Sequence, residues 1–258
     1  MELQSIPDFL DRIGDDDTTT ELVVLNRTQP RPVQRLFEDA FGQEVTVSEQ
    51  ELPAVETDTV VLVRGDEVIA TSPLESILES FLLINSDTYR TSTRGIDKEY
   101  LPDVLANLDE VVMRLRGYPQ TNKEKLLLIA VSRYIEALAL EANQGRLDAA
   151  FQRLSRLNDE FGTRRVYERL AESAVEVHAY AVSGSGWPHQ DDLDICIHTD
   201  DSERFRKSWF VVYQPADAVD TPSAALLAWK HNGNEWRSTW TFDPTWVSRI
   251  QDHIIDHF

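Results

Sequence analysis

The sequence predicts an α/β protein of mixed α+β type, with central mixed or antiparallel sheets, packed helices and two lobes. Three observations lead there. Short apolar runs such as residues 21–26 and 209–213 are hydrophobic on both sides, as buried strands are. Between the runs, apolar residues recur at helical spacing, as in Leu127, Val131, Tyr134, Leu138 and Ala142. Two strong hairpin signals, Gly65-Asp66 and His231-Asn232-Gly233-Asn234, join pairs of apolar runs.

In chain order, residues 5–13 predict a short amphipathic helix with Ile6, Phe9, Leu10 and Ile13 on one side, ended by Gly14 and the acidic-polar run 15–20. Residues 21–26 predict a buried strand. Gln29-Pro30-Arg31-Pro32 turns the chain into a helix ending near Phe41-Gly42, and Val45 with Val47 marks another short strand. Residues 59–63 and 68–71 flank the Gly65-Asp66 turn, and Ser72-Pro73 starts a helix over 74–84 that turns Ile77, Leu78, Phe81 and Leu82 to a core. Residues 85–103 are polar, punctuated by Gly95 and Pro102, and form the longest irregular stretch. A helical turn at 104–108 and a strand through Val111, Met113 and Leu115 follow. Gly117-Tyr118-Pro119 reads as a hinge that divides the chain into an N-terminal α/β lobe, 1–117, and a second unit, 118–258.

The second unit is expected to open with three helices. Thr121 with Glu124 forms a capping box for the first, and Gly145 is its stop. Leu147, Ala150, Phe151, Leu154 and Leu157 repeat the helical spacing in the second, ended by Gly162, and a third from about Thr163 buries Val166, Tyr167 and Leu170. Val175, Val177 and Ala179 then alternate with Glu176 and His178 as in a strand. Leu193, Ile195 and Ile197 alternate in another, broken by His198-Thr199-Asp200-Asp201. Residues 209–213 form a central strand, and residues 224–229 and 236–242 flank the second hairpin turn. Asp243 caps the last helix with Pro244 at its first position, and Trp246, Ile250 and Ile254 anchor it.

A length of 258 is ample for a sizeable core. The net charge of −20 comes from acids scattered along the whole chain, which points to a surface adapted to high salt rather than an acidic tail. No apolar run reaches the length of a membrane span and no secretory signal opens the chain, so a cytoplasmic location is expected. The single cysteine, Cys196, excludes an intramolecular disulfide and a cysteine-based zinc cage.

Phe151-Gln152-Arg153 followed by Arg156, then Tyr167-Glu168-Arg169-Leu170-Ala171, resembles the DICT sensory domain, named for its occurrence in diguanylate cyclases and two-component systems. Trp209-Phe210-Val211-Val212 and Trp240-Thr241-Phe242-Asp243-Pro244 agree in order and spacing, so the likeness runs roughly from residue 122 to the C-terminus. The acidic chain and its N-terminal half are similar to the stand-alone versions of salt-loving archaea. The resemblance implies a sensory or signalling module without catalysis of its own. The sequence shows no kinase, cyclase or DNA-binding output, so any signal passes to a protein partner.

The residues themselves are consistent with that. No phosphate-cradling glycine loop and no nucleophile elbow is present. Ser183-Gly184-Ser185-Gly186 reads as a loop, because Trp187 and a proline follow it instead of a helix start. His189, Asp191, Asp192, Asp194, His198, Asp200 and Asp201 are the densest set of possible metal ligands. Their spacing matches no ligand scheme, so no metal and no cofactor is expected. Residues 114–169 hold eleven basic side chains against seven acidic ones, a local +4 in a chain otherwise at −24. That is too small and too interleaved with acids for the chain by itself to bind nucleic acid.

On the expected second helix, Arg153 and Arg156 flank the apolar face near Arg146. Such arginines cover a core edge and pair with local acids, or accept an acidic ligand or partner. Gln152, Arg153 and Arg156 are therefore the first candidate recognition residues. The tryptophans supply the others. Trp236, Ser238, Trp240 and Phe242 share one strand face where an aromatic-lined pocket could hold a flat ligand, but core burial is the preferred reading for Trp209 of the central strand, Trp240 and Trp246, and Trp187 is the tryptophan expected at the surface. An enzyme with an unfamiliar site around His178 and His198, and a structural or assembly protein, are the competing readings.

Overall fold

The computed structural model describes residues 5–13, 19–28, 44–82, 101–116, 123–155, 161–184, 193–217, 219–231 and 235–258. It is an α/β fold of two mixed sheets with packed helices. The elements in order are α1 (Ile6–Ile13), β1 (Thr20–Leu25), β2 (Val45–Gln50), β3 (Thr59–Arg64), β4 (Glu67–Pro73), α2 (Leu74–Leu82), α3 (Asp103–Ala106) and β5 (Met113–Arg116). They continue with α4 (Lys123–Ala142), β6 (Arg146–Gln152), α5 (Phe161–Ala171), β7 (Glu176–Val182), β8 (Cys196–Asp200), α6 (Glu203–Lys207), β9 (Ser208–Gln214), β10 (Ala224–Lys230), β11 (Glu235–Thr241) and α7 (Pro244–His257).

The smaller sheet has the order β2-β1-β3-β4, with β1 and β2 parallel and the other pairs antiparallel. The larger has the order β5-β11-β10-β9-β6-β7-β8. Its first five strands pair antiparallel, and β6, β7 and β8 are mutually parallel. β9, the run apolar on both faces, is the middle strand of the seven, as expected of a strand covered on both sides. A parallel pair cannot be joined by a tight turn, and α5 provides the crossover from β6 to β7.

Both faces of the large sheet are buried, and strand parity sorts its side chains. Leu147, Ala149, Val177, Ala179, Val211, Tyr213, Leu226 and Trp240 face α4 and α5, in a core that continues through α2 and α3 to Leu22, Val24, Val60 and Leu62 of the small sheet. Ala150, Tyr180, Phe210, Val212, Ala225 and Leu227 face the other way, against α1, Phe205 of α6 and Val247, Ile250 and Ile254 of α7. Each large aliphatic side chain so buried contributes about 1.5–3 kcal/mol. Two elements from before residue 117 therefore belong to the large-sheet layer. β5 pairs with β11, and Ile6, Phe9, Leu10 and Ile13 of α1 lie in the second core, with Asp11 2.6 Å from Arg237 of β11.

Several local expectations are met. Gly65 takes a left-handed φ of 62° in the β3–β4 turn. The Asp243 carboxylate accepts hydrogen bonds from the backbone N–H of Thr245 (2.8 Å) and Trp246 (2.9 Å), with Pro244 opening the helix. The first helix of the second unit ends at Ala142. Asn143 takes the left-handed conformation there, at φ 51°, rather than Gly145. Gly145 is needed for a different reason. With φ 98°, a Cβ there would sit 2.4 Å from the Gln214 carbonyl oxygen, where β6 starts beside the end of β9.

Two expectations are corrected. The expected second helix is strand β6, so Arg146 and Arg153 do not share a helix face. Its apolar residues fit a helical period because Ala150 interrupts the polar alternation of Arg146, Asp148 and Gln152 on one face of the strand. His198-Thr199-Asp200 does not break a strand either: these residues form the second half of β8, paired with Tyr180, Ala181 and Val182. The helix near Phe41-Gly42, the irregular run before residue 101, the Gly117-Tyr118-Pro119 hinge and the Thr121 cap lie outside the described residues.

Candidate functional site

The parallel strands β6, β7 and β8 carry the densest polar cluster on the face turned to α7. It starts from Asp148, which alternation in β6 places on this face with no exposure at all. A carboxylate there must be met by donors. Arg146, two residues earlier on the same face, donates from Nε (2.9 Å) and Nη2 (2.8 Å). The Tyr180 hydroxyl of β7 donates at 2.8 Å and the Gln251 side-chain amide of α7 at 3.1 Å. Asp148 thus ties two strands and the last helix. Burial, and then the neighbouring Asp148 carboxylate, push the Tyr180 hydroxyl well above its ordinary titration range.

Next to it runs a chain of three titratable groups. Glu176 Oε1 lies 2.8 Å from His178 Nε2, and His178 Nδ1 lies 2.8 Å from His198 Nε2. The two ring centroids are 5.1 Å apart with planes only 19° from parallel, which is the N···N distance plus one ring radius at each end. The imidazoles are therefore in line and nearly coplanar. A carboxylate only accepts, so with both rings in the neutral form His178 Nε2–H donates to Glu176 and His198 Nε2–H donates to His178 Nδ1. The lone pair left over is on His198 Nδ1. Tyr180 lies against the His198 ring, 4.6 Å away and 12° from parallel. Burial, then His178 and Arg146, lower the His198 pKa, which keeps that ring neutral near pH 7. His178 is 7% exposed, while His198 is half-buried and the Glu176 side chain is 61% exposed, so the chain is buried at its middle and nears solvent at both ends.

The sequence singled out both histidines but not their link, nor Asp148, Tyr180 and Gln251. Parity alone put His178 and Tyr180 on one face. The parallel register His178↔Cys196 and Tyr180↔His198, which no local pattern announces, brings the two histidines together. Among the described residues no three His, Cys, Asp or Glu side chains converge as metal ligands.

The recognition candidates are placed differently. Gln152 is the last residue of β6, at a register shift against β7 and in the left-handed region at φ 58°. Arg153 follows it and is exposed, with its N–H 2.5 Å from the Phe151 carbonyl oxygen. Both lie at the carboxyl ends of the parallel strands, beside the switch to antiparallel β9. Arg156 and Trp187 lie outside the described residues. Trp209 and Trp236 are half-buried on the α4 face and pack on the main core. Trp240 is buried at 1% exposure in that core, as its core reading expects.

The quoted motif residues also have structural partners. Phe151 meets Tyr167 edge-on at 5.0 Å. The Tyr167 hydroxyl donates to Glu136 Oε1 at 3.0 Å, and Glu136 is paired with Arg133, which also donates to Thr163. Burial, then the Glu136 charge, raise the Tyr167 pKa well above its ordinary value. This buried network joins α4, α5 and the end of β6, and so fixes where Gln152 and Arg153 emerge.

No helix among the described residues is long and apolar enough to cross a membrane. The polyphosphate kinase of Porphyromonas gingivalis, a solved structure, is similar over 96% of this chain and 44% of its own at 10% identity. Its TM-score is 0.33, which carries no argument. No curated protein matches. The family model for the sensory domain of diguanylate cyclases and two-component systems matches residues 103–231, half of the chain. The match begins earlier than the motifs suggest, at α3, and takes in α4, the parallel trio, β9 and β10. Phe151-Gln152-Arg153, Tyr167-Glu168-Arg169 and Trp209-Phe210 fall inside it, and Trp240-Thr241-Phe242 outside. With the motif core, its supporting network and the β6–β10 layer all within the matched span, the chain belongs to the DICT family of sensory domains.

Proposed function

We propose that this chain is a non-enzymatic sensory module that responds to a ligand or state and passes the signal to a protein partner in the cytoplasm. The family match carries the reading. The sensory unit comprises residues 118–258 together with β5 and α1, which complete its sheet and its second core. Recognition is assigned to the carboxyl edge of β6, where Gln152 and Arg153 present polar groups beside a break in strand direction, and to Arg156, three residues further along the sequence. Ligand sites in open sheets favour that position. A guanidinium there suits an acidic partner.

The test is capture of partners from native lysate with wild-type protein and with the Arg153→Ala, Arg156→Ala variant. A surface role predicts an unchanged melting temperature and loss of specific partners. Identical partner sets at equal melting temperature would overturn the assignment.

A second reading is favoured by one observation, the Glu176–His178–His198 chain. An oriented imidazole with a free lone pair is what a general base requires. Turnover of any substrate that is lost in His198→Gln, with folding intact, would move the assignment to an enzyme.

A further inference from the structure

A cleft of about 730 Å3 opens on the α7 face of the large sheet, between the start of α1, the end of α7 and α6. That volume is in the range that holds a small organic molecule. Its apolar sides are Phe9 of α1, Trp229 of β10 and Phe258 after α7. Four charged side chains line it, Arg204 and Arg249 against Asp252 and Asp256, and they cancel. In a chain of net −20 this is a locally neutral surface.

Neither guanidinium is held ready for an anion. Arg204 donates to the His257 carbonyl oxygen and lies 6.0 Å over the Phe258 ring, and Arg249 lies 4.8 Å over Trp246. Among the other polar groups that line the cleft is His253, 8% exposed, with Phe9 edge-on at 5.4 Å and His257 stacked on it at 4.4 Å. Its Nδ1 is buried and has no hydrogen-bond partner among the described residues. A buried polar atom left without a partner is costly, and a hydrogen-bonding ligand is one way to relieve it. Burial, then His257 and Arg204, push His253 down to about 4, so the ring is neutral at ordinary pH.

We infer that this cleft binds an uncharged, planar heteroaromatic molecule that stacks on Trp229 and Phe258 and reaches His253 with a hydrogen-bonding edge. Aromatic walls select a flat π-system. The cancelled charges disfavour a strong anion or cation, since either would face one like-charged pair, and the unmatched imidazole nitrogen selects a heterocycle over a hydrocarbon. The inference supplies a ligand class for the sensory reading and rests on that reading for its biological meaning. The binding event itself does not depend on it.

The experiment is ligand-detected NMR on the full chain with three uncharged probes, lumichrome, adenosine and indole, and with benzoate and tyramine as charged controls. At least one uncharged probe is expected to bind saturably, and the controls not to compete with it. Trp229→Ala should weaken binding about three- to tenfold, the worth of one aromatic stack. Asp252→Trp, a change at an exposed helix position, should block the cleft without touching the core and abolish binding. It keeps the test decisive if Trp229→Ala fails to fold. The inference is overturned if none of the three uncharged probes saturates, if both variants bind like wild type, or if benzoate competes equally. Probe binding with partner sets indifferent to Arg153 and Arg156 would retire the partner surface and leave the cleft. Arginine-dependent capture without probe binding would do the reverse.

Discussion

Removing the Asp148 carboxylate should be among the most damaging single changes on the large sheet. The side chain is wholly buried and is met by four donor groups, Nε and Nη2 of Arg146, the Tyr180 hydroxyl and the Gln251 amide. Asp148→Ala leaves a guanidinium, a hydroxyl and an amide facing a space that no acceptor fills. Loss of one partner of a buried ion pair costs about 3–5 kcal/mol. Arg146 keeps partial access to water, with 22% of its side chain exposed and Glu176 3.8 Å away, so the lower half of that range applies, about 3–4 kcal/mol. For a chain of this size that is a fall of about 6–16 °C in melting temperature. The decisive comparison is the double change Arg146→Met with Asp148→Leu, which removes donor and acceptor together and should recover most of the loss, to within about 1–2 kcal/mol of wild type. Urea unfolding of the four proteins of the cycle measures both. An Asp148→Ala cost under about 1 kcal/mol, or a double variant as unstable as the single one, would show that the cluster is not a dependent unit.

Two further outcomes are expected. His253 titrates at about 4 in the folded chain against 6.5 unfolded, so the unfolded state binds the proton first. Stability is then full above pH 6.5 and falls as the pH drops toward 4, by up to about 3 kcal/mol. His253→Phe keeps the packing on Phe9 and should flatten that limb in pH-dependent melts, whereas an unchanged acid limb would assign it to carboxylates instead. The net charge of −20 opposes compaction, so the melting temperature should climb from low to molar salt, and a flat response would remove the high-salt reading of the composition.

The sequence by itself determined the elements whose signals are local. The α1 stripe, the Gly65-Asp66 hairpin, the Asp243-Pro244 helix start and the apolar run of β9 are each written in neighbouring residues, and each is where it was expected. The ordered motifs likewise placed the chain in its family. Two other features were open to the tertiary structure alone. β6 is the first: Leu147, Ala150, Phe151 and Leu154 satisfy a helical period, and only pairing with β7 on one side and β9 on the other makes the segment a strand. Ala150 interrupts the polar alternation of Arg146, Asp148 and Gln152 by which a strand is recognised. The histidine chain is the second. His178 and His198 are 20 residues apart on separate strands, and their 2.8 Å contact depends on the register of β7 against β8. Asp148 shows the same limit, since in sequence it is one more acid among 45, and only its zero exposure and four donors make it the centre of a buried cluster. Register and burial are properties of how segments meet, so the residues that carry polar chemistry in this fold became visible only once the sheet was assembled.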